Sequence, residues 1–80
     1  MKIDVKIDME ETGKKIKHLM ETEDITVIQV KEFLGLATKQ TVYKWFWGKS
    51  IPSIESAFAL AALFEIKVDD LFVVEVNTIE

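Results

Sequence analysis

The first eight residues, MKIDVKID, alternate. Ile3, Val5 and Ile7 fall on one face and Lys2, Asp4, Lys6 and Asp8 on the other, the period-2 pattern of a half-buried strand. At Asp8 the period changes. Asp8-x-x-Glu11 fits a capping box, and Met9, Thr12, Ile16, Leu19 and Met20 then form one stripe at helical spacing. Gly13 lies on that stripe. Glycine costs about 1 kcal/mol against alanine inside a helix, so its presence points to a close helix–helix approach. Glu21–Asp24 is an acidic connector. Thr26-x-x-Gln29 is a second capping box, opening a short helix with Val27, Val30, Phe33 and Leu34 inward, and Gly35 ends it.

Leu36 and Ala37 form a turn, and Thr38 is the next N-cap candidate. Val42, Trp45 and Phe46 make the inner stripe of a third helix, while Lys39, Gln40, Tyr43 and Lys44 point the other way. Gly48 stops it. After the loop Lys49–Pro52, Ser53 caps a fourth helix running to about Glu65. Its segment Ala57–Phe64 is apolar all round, the signature of a helix buried on most sides. Lys67–Phe72 reads as one short helical turn, and Val73, Val74 and Val76 favour a terminal strand. The two end strands are expected to pair antiparallel, within one chain or exchanged across a dimer. Tyr43, Trp45, Phe46 and Trp47 are more aromatics than a single core stripe hides, and the terminal strands are expected to cover them.

The chain has 80 residues, a prior for one small domain. The expected division is a strand arm at 1–8, a helical core at 9–72 and a C-terminal strand or tail at 73–80. The absence of cysteine excludes a disulfide framework and fits a reducing cytoplasm. The N-terminus does not read as a signal peptide. The longest apolar run, Ala57–Phe64, has eight residues, where a membrane-spanning helix needs about 20. Net charge is −4, yet Lys31–Ile54 holds four lysines against one acid, leaving −7 on the rest. A local basic patch on an acidic body still faces phosphates, because surface charges more than about 10 Å away are screened. Arginine is absent, so bidentate arginine–guanine contacts are excluded.

Thr26–Leu34 and Thr38–Trp47, joined by a tight glycine-containing turn, have the form of a helix-turn-helix. In that motif the second helix enters the major groove and its N-terminal side chains meet base edges. Lys39, Gln40, Thr41, Tyr43 and Lys44 supply polar groups on its outer face. Lysine donates to guanine O6/N7 or to phosphate, and glutamine bonds bidentately to adenine. Thr38 and the backbone N–H groups at the helix start are placed to hold a phosphate. Periodicity alone leaves open an ordinary helical hairpin whose polar face is merely wet.

Taken in order, Gly13-Lys14-Lys15-Ile16-Lys17-x-Leu19, Thr26, Phe33-Leu34-Gly35, Val42-Tyr43-Lys44-Trp45, Gly48-Lys49-Ser50-x-Pro52-Ser53, Leu60-Ala61-x-Leu63 and Val68-Asp69-Asp70-Leu71 resemble the Cro and lambda-repressor type of helix-turn-helix domain, the xenobiotic-response-element family. The resemblance covers Gly13–Phe72, with Trp45-x-x-Gly48-Lys49-x-x-Pro52 its strongest stretch. It implies a mainly α fold of five helices, here flanked by the two short strands. It also implies a DNA-binding domain, commonly a homodimer on a two-fold operator. The family's base-reading positions fall on Lys39, Gln40, Tyr43 and Lys44. Its phosphate contacts fall near Thr26, Gln29, Thr38, Lys49 and Ser50, and Thr41 on the same outer face is assigned with them. The sequence departs from the family at Val27, where glutamine is common, at Lys31, where a small residue is usual, and at Phe46, where glutamate is frequent. The span from Gly35 to Trp45 is one residue longer than the commonest. The missing glutamine and arginines imply modest affinity.

An enzyme is the weakest reading. One histidine and no cysteine leave no Cys–His pair and no histidine-rich metal site, and no cofactor is expected. The rival is a protein-interaction module of the same fold, antitoxin-like or a regulatory partner, using an apolar surface near Ala57–Phe64 and the aromatic cluster. The reading adopted is a cytoplasmic, sequence-specific regulator of double-stranded DNA, with recognition helix 38–47 and no membrane contact.

Overall fold

A computed structural model describes residues 1–79 of the chain; Glu80, the end of the expected C-terminal strand, lies outside the described residues. Strand β1 (Lys2–Ile7) is followed by α1 (Met9–Thr22), α2 (Val27–Leu34), α3 (Gln40–Phe46) and α4 (Ile54–Phe64), then a 3-10 turn at Val68–Asp70 and strand β2 (Val74–Ile79). The core is Ile16 and Met20 of α1, Val30 of α2, Val42 and Trp45 of α3, Ala57, Leu60 and Phe64 of α4, and Leu71.

Local chemistry accounts for the helix ends. Asp8 Oδ1 accepts the Glu11 N–H at 3.0 Å. The reciprocal half of that expected capping box is absent: Asp8 N–H donates to the Val73 carbonyl at 2.8 Å, and Glu11 pairs with Lys14 at 3.2 Å. The Thr26/Gln29 box is complete, and Ser53 Oγ accepts the Ser56 N–H. Left-handed residues follow the four helices: Asp24, Gly35, Gly48 and Glu65, at φ 55–68°. At each, the next N–H reaches five residues back, to Met20, Lys31, Lys44 and Ala61 in turn, closing the orphan carbonyls of the last turn.

Two glycines let α1 and α3 touch. A Cβ on Gly13 would run into the carbonyl oxygen of Trp45 and lie 3.0 Å from its carbon and 3.2 Å from the Phe46 oxygen. A Cβ on Gly48 would lie 2.9 Å from Cα of Glu10. The close approach inferred from Gly13 is therefore made on the backbone of the helix carrying Lys39–Lys44.

β1 and β2 pair antiparallel within the chain, with Ile3 opposite Thr78, Val5 opposite Val76 and Ile7 opposite Val74. Thr12, buried in α1, ties the ribbon to the helices. Its hydroxyl accepts the Val73 N–H at 2.9 Å. The ribbon otherwise stands free in a molecule measuring 46 × 24 × 20 Å.

Several expectations are corrected here. Four α-helices, not five, lie among the described residues; the fifth is a single 3-10 turn. Leu71 is buried two residues before Val73 is taken up by Thr12, and the β-branched run from Val73 favours extended chain, so there is no length left for a fifth helix. The end strand is not half-buried: Ile3, Val5 and Ile7 are exposed, because only one end of the two-stranded ribbon borders the helical body, at Val68 and Phe72. Phe33 is 61% exposed rather than inward; Val27, Val30 and Leu34 alone fill that side of α2. α4 is buried on one side only, through Ala57, Leu60, Ala61 and Phe64, while Phe58 is 60% exposed. Nor do the strands cover the aromatic cluster, since Trp47 stays 56% exposed.

Gly13→Ala should destabilise the domain despite alanine's better helix propensity, because backbone, not a flexible side chain, occupies the space. Overpacking of this kind costs about 1–3 kcal/mol, and a domain this size loses roughly 4–8 °C in Tm per kcal/mol, which thermal unfolding followed by circular dichroism measures. Thr12→Val keeps the shape but leaves the Val73 N–H without its partner. A cost of about 1–3 kcal/mol is expected, together with faster amide exchange at Val73 than in the parent.

Candidate nucleic-acid interface

α2 and α3 pack together through Val30 and Val42 of the common core, joined by the turn from Gly35 to Lys39. At 100° per residue, Val42, Trp45 and Phe46 define the inner side of α3. Gln40, Lys44 and Trp47 then centre on the opposite side, Tyr43 and Lys39 lie toward one flank, and Thr41 lies on the other. The burial follows this arrangement: Lys39, Gln40 and Lys44 are exposed, Tyr43 and Thr41 half-buried, Val42 and Trp45 buried. Of the four residues expected to read bases, Gln40 and Lys44 thus share the outer side of α3, Tyr43 lies on its flank, and Lys39 stands at the N-cap before it.

The phosphate candidates lie at the start of α2, in the turn before α3, within α3 at Thr41 and in the segment after it. Thr26 and Gln29 are held to each other: Gln29 Oε1 accepts the Thr26 N–H at 2.8 Å, and Thr26 Oγ1 accepts the Gln29 N–H at 3.1 Å. The capping box fixes the oxygen of the Gln29 amide and leaves its NH2 group free to donate. Lys49 and Ser50 fold back on α3, their N–H groups lying 2.9 and 3.4 Å from the Lys44 carbonyl. Thr38 does not cap α3. The N-cap is Lys39, already helical at φ −66° and ψ −23°, and no side chain bonds to this helix start. The Val42 and Tyr43 N–H groups both reach the Lys39 carbonyl, so the helix runs Gln40–Phe46 rather than 38–47, and Thr38 stays exposed in the turn.

Trp47 is the residue the sequence reading left off this face. Its ring stacks on Tyr43 with centroids 6.0 Å apart and planes 20° apart, and the Lys49 ammonium lies 5.7 Å from its centroid. Lys17 of α1 sits 5.9 Å over Phe46. These contacts hold two lysines against aromatic rings at the edge of α3. An i, i+4 relation to Tyr43 was the available signal; an aromatic beside Trp45 reads first as core.

The electrostatics separate the lysines. Lys14 is raised above its ordinary value, chiefly by the hydrogen bond to Glu11 and then by the Glu11 charge. Among the described residues that is the only ion pair, so no carboxylate contacts Lys31, Lys39, Lys44 or Lys49. Among the same residues no cluster of histidine and carboxylate side chains forms a metal site, and no helix is long and apolar enough to cross a membrane.

Comparison with known proteins agrees with this architecture. A family model described as Helix-turn-helix matches residues 16–71, more than half of the chain. A search of curated protein sequences finds no match. Among solved structures the chain is similar to the restriction-modification controller protein C.AhdI from Aeromonas hydrophila, with a TM-score of 0.71 at 20% identity over 81% of this chain and 97% of that one. At that identity the likeness is one of fold. The chain belongs to the helix-turn-helix family of the Cro and lambda-repressor type, whose members are DNA-binding transcriptional regulators and not enzymes.

Proposed function

We propose that this chain, acting as one domain in the cytoplasm, is a sequence-specific regulator that lays α3 in the major groove of double-stranded DNA. Lys39, Gln40, Tyr43 and Lys44 read base edges. Thr26, Gln29, Thr38, Thr41, Lys49 and Ser50 contact phosphates on either side, Gln29 through its free NH2 group and Thr38 as a turn residue rather than a helix cap. Base contacts specify and phosphate contacts position. The observation that carries the reading is the exposed, acid-free side of α3 formed by Gln40 and Lys44, set opposite the buried Val42 and Trp45. Trp47, stacked on Tyr43 beside Lys49, extends that side with a ring suited to packing on sugar or a thymine methyl. The chain works as a homodimer, since few lysines per copy make a single half-site weak.

Selection of bound duplexes from a random library should return a two-fold sequence. Gln40→Ala should then cost about 1–3 kcal/mol at one operator position in each half-site and relax base preference there. Uniform weakening across all sequences would assign Gln40 to the backbone instead. Salt gives an independent check. If each copy places about three of Lys31, Lys39, Lys44 and Lys49 on phosphate, six phosphates are neutralised and the log–log slope of affinity against salt is roughly −5. An affinity that is flat from low to physiological salt would remove duplex DNA as the ligand.

A further inference from the structure

The ribbon and α4 share one continuous apolar face that the DNA reading does not use. Ile3, Val5 and Ile7 lie on the same side of the ribbon as Val74 and Val76, by the register of the pair. A groove of about 230 Å3 continues that side from Ile7 and Phe72 to Ile54 and Phe58 of α4. A second groove, of about 470 Å3, joins Val5 and Val74 to the same Phe72 and Val68. The ribbon side chains of the face, with Ile54 and Phe58, are 40–77% exposed.

We infer that this face is where a second copy of the chain docks, ribbon against ribbon and Phe58 into the partner's groove, in a two-fold contact. Size is the first argument. The five ribbon side chains with Ile54 and Phe58 put seven exposed branched or aromatic side chains on one face, a contiguous apolar patch of the kind that marks an interaction site and a fit for the ~800 Å2 per partner of a standard stable interface. Charge is the second. Identical faces carry identical charges, so a self-contact demands a face with almost none. Asp69 is the one charged residue lining either groove, while Lys2, Asp4, Lys6 and Glu75 lie on the ribbon's other side. Stability is the third. A lone two-stranded ribbon is marginal in water and needs its apolar face packed, and within one chain that face stays 40–59% exposed. Lys39, Gln40, Tyr43 and Lys44 line neither groove, so pairing leaves the outer side of α3 free. The inference rests on the homodimer part of the proposed function and is independent of the base contacts.

Sedimentation equilibrium of the full chain tests it. The parent should be a dimer at about 100 μM, and Val5→Glu and Phe58→Glu should each weaken association about 100-fold or more, as a buried unpaired charge does, with helical circular dichroism retained. Phe58 is exposed on α4, so its replacement keeps the test open even if Val5→Glu loosens the ribbon. Asn77→Glu, on the ribbon's opposite side, should leave the dimer intact. A parent that is monomeric at that concentration, or a dimer that survives both glutamates, overturns the inference. Specific duplex binding by such a monomer would overturn it alone and leave the base contacts standing. A dimer broken by both glutamates supports it even if the parent shows no base preference, an outcome that sinks only the DNA reading.

Discussion

The contact between Gly13 and the Trp45 carbonyl sets the geometry on which the rest depends. The Trp45 side chain is buried in the core, and its backbone lies where any Cβ on Gly13 would go. A helix held by its side chain from one direction and by its carbonyl from another has no freedom to roll. Gly48 repeats the contact against Glu10, one turn earlier on α1. Two touch points a turn apart fix direction as well as distance. The side of α3 that carries Gln40 and Lys44 faces outward because of where α1 lies, not because those residues are polar. A polar residue tolerates exposure; the backbone contact enforces it.

Charge acts within that frame in a restricted way. An overall −4 with no arginine leaves lysine point charges and neutral donors to meet an anion. Lysine supplies attraction with little directional preference, so geometry must come from elsewhere. Capping supplies some of it: the Gln29 amide is oriented by its own helix start, and Lys49 is held at the end of α3 by the Lys44 carbonyl and the Trp47 ring. Two acids at the start of α1 are engaged locally, Glu11 with Lys14 and Asp8 as the helix cap. Lys39, Lys44 and Lys49 lie in a stretch, residues 33–54, that contains no acid to compete for them.

What the sequence disclosed follows the range of each interaction. The caps at Asp8, Thr26 and Ser53, and the stops at Gly35 and Gly48, involve groups within five residues, and all were legible. The turns at Asp24 and Glu65 use the same left-handed geometry without glycine, so composition carried no mark of them. Apolarity alone places Phe33 and Phe58 inward, because it says what a side chain tolerates and not which neighbour is present; Val27, Val30 and Leu34 in α2 and Ala57, Leu60 and Phe64 in α4 fill the core instead. Thr38 has the chemistry of a cap but stands one residue too early, since Lys39 adopts helical angles itself. Gln40 and Lys44 were legible from the period of Val42 and Trp45. Trp47 was not, because the same period that places it outward competes with the expectation that a tryptophan seeks the core.

Thr12 and Gly13 are neighbours, and that adjacency couples the two ends of the molecule. Thr12 takes the Val73 N–H and so seats the start of β2; Gly13 takes the backbone of Trp45 and so seats α3. One turn of α1 therefore references both the ribbon and the outer side of α3. If two copies meet through the ribbon face, the separation of their α3 helices is set by rigid elements from Val73 through α1 to Trp45, with no loop in the path. Two-fold DNA readers need that separation to match one helical turn of the duplex, about 34 Å, or a multiple. A substitution that tilted the ribbon on Thr12 would then alter the separation of the two α3 helices without touching α3 itself. The position of the apolar ribbon, which the fold itself does not require, thereby becomes a determinant of which operators two copies can span.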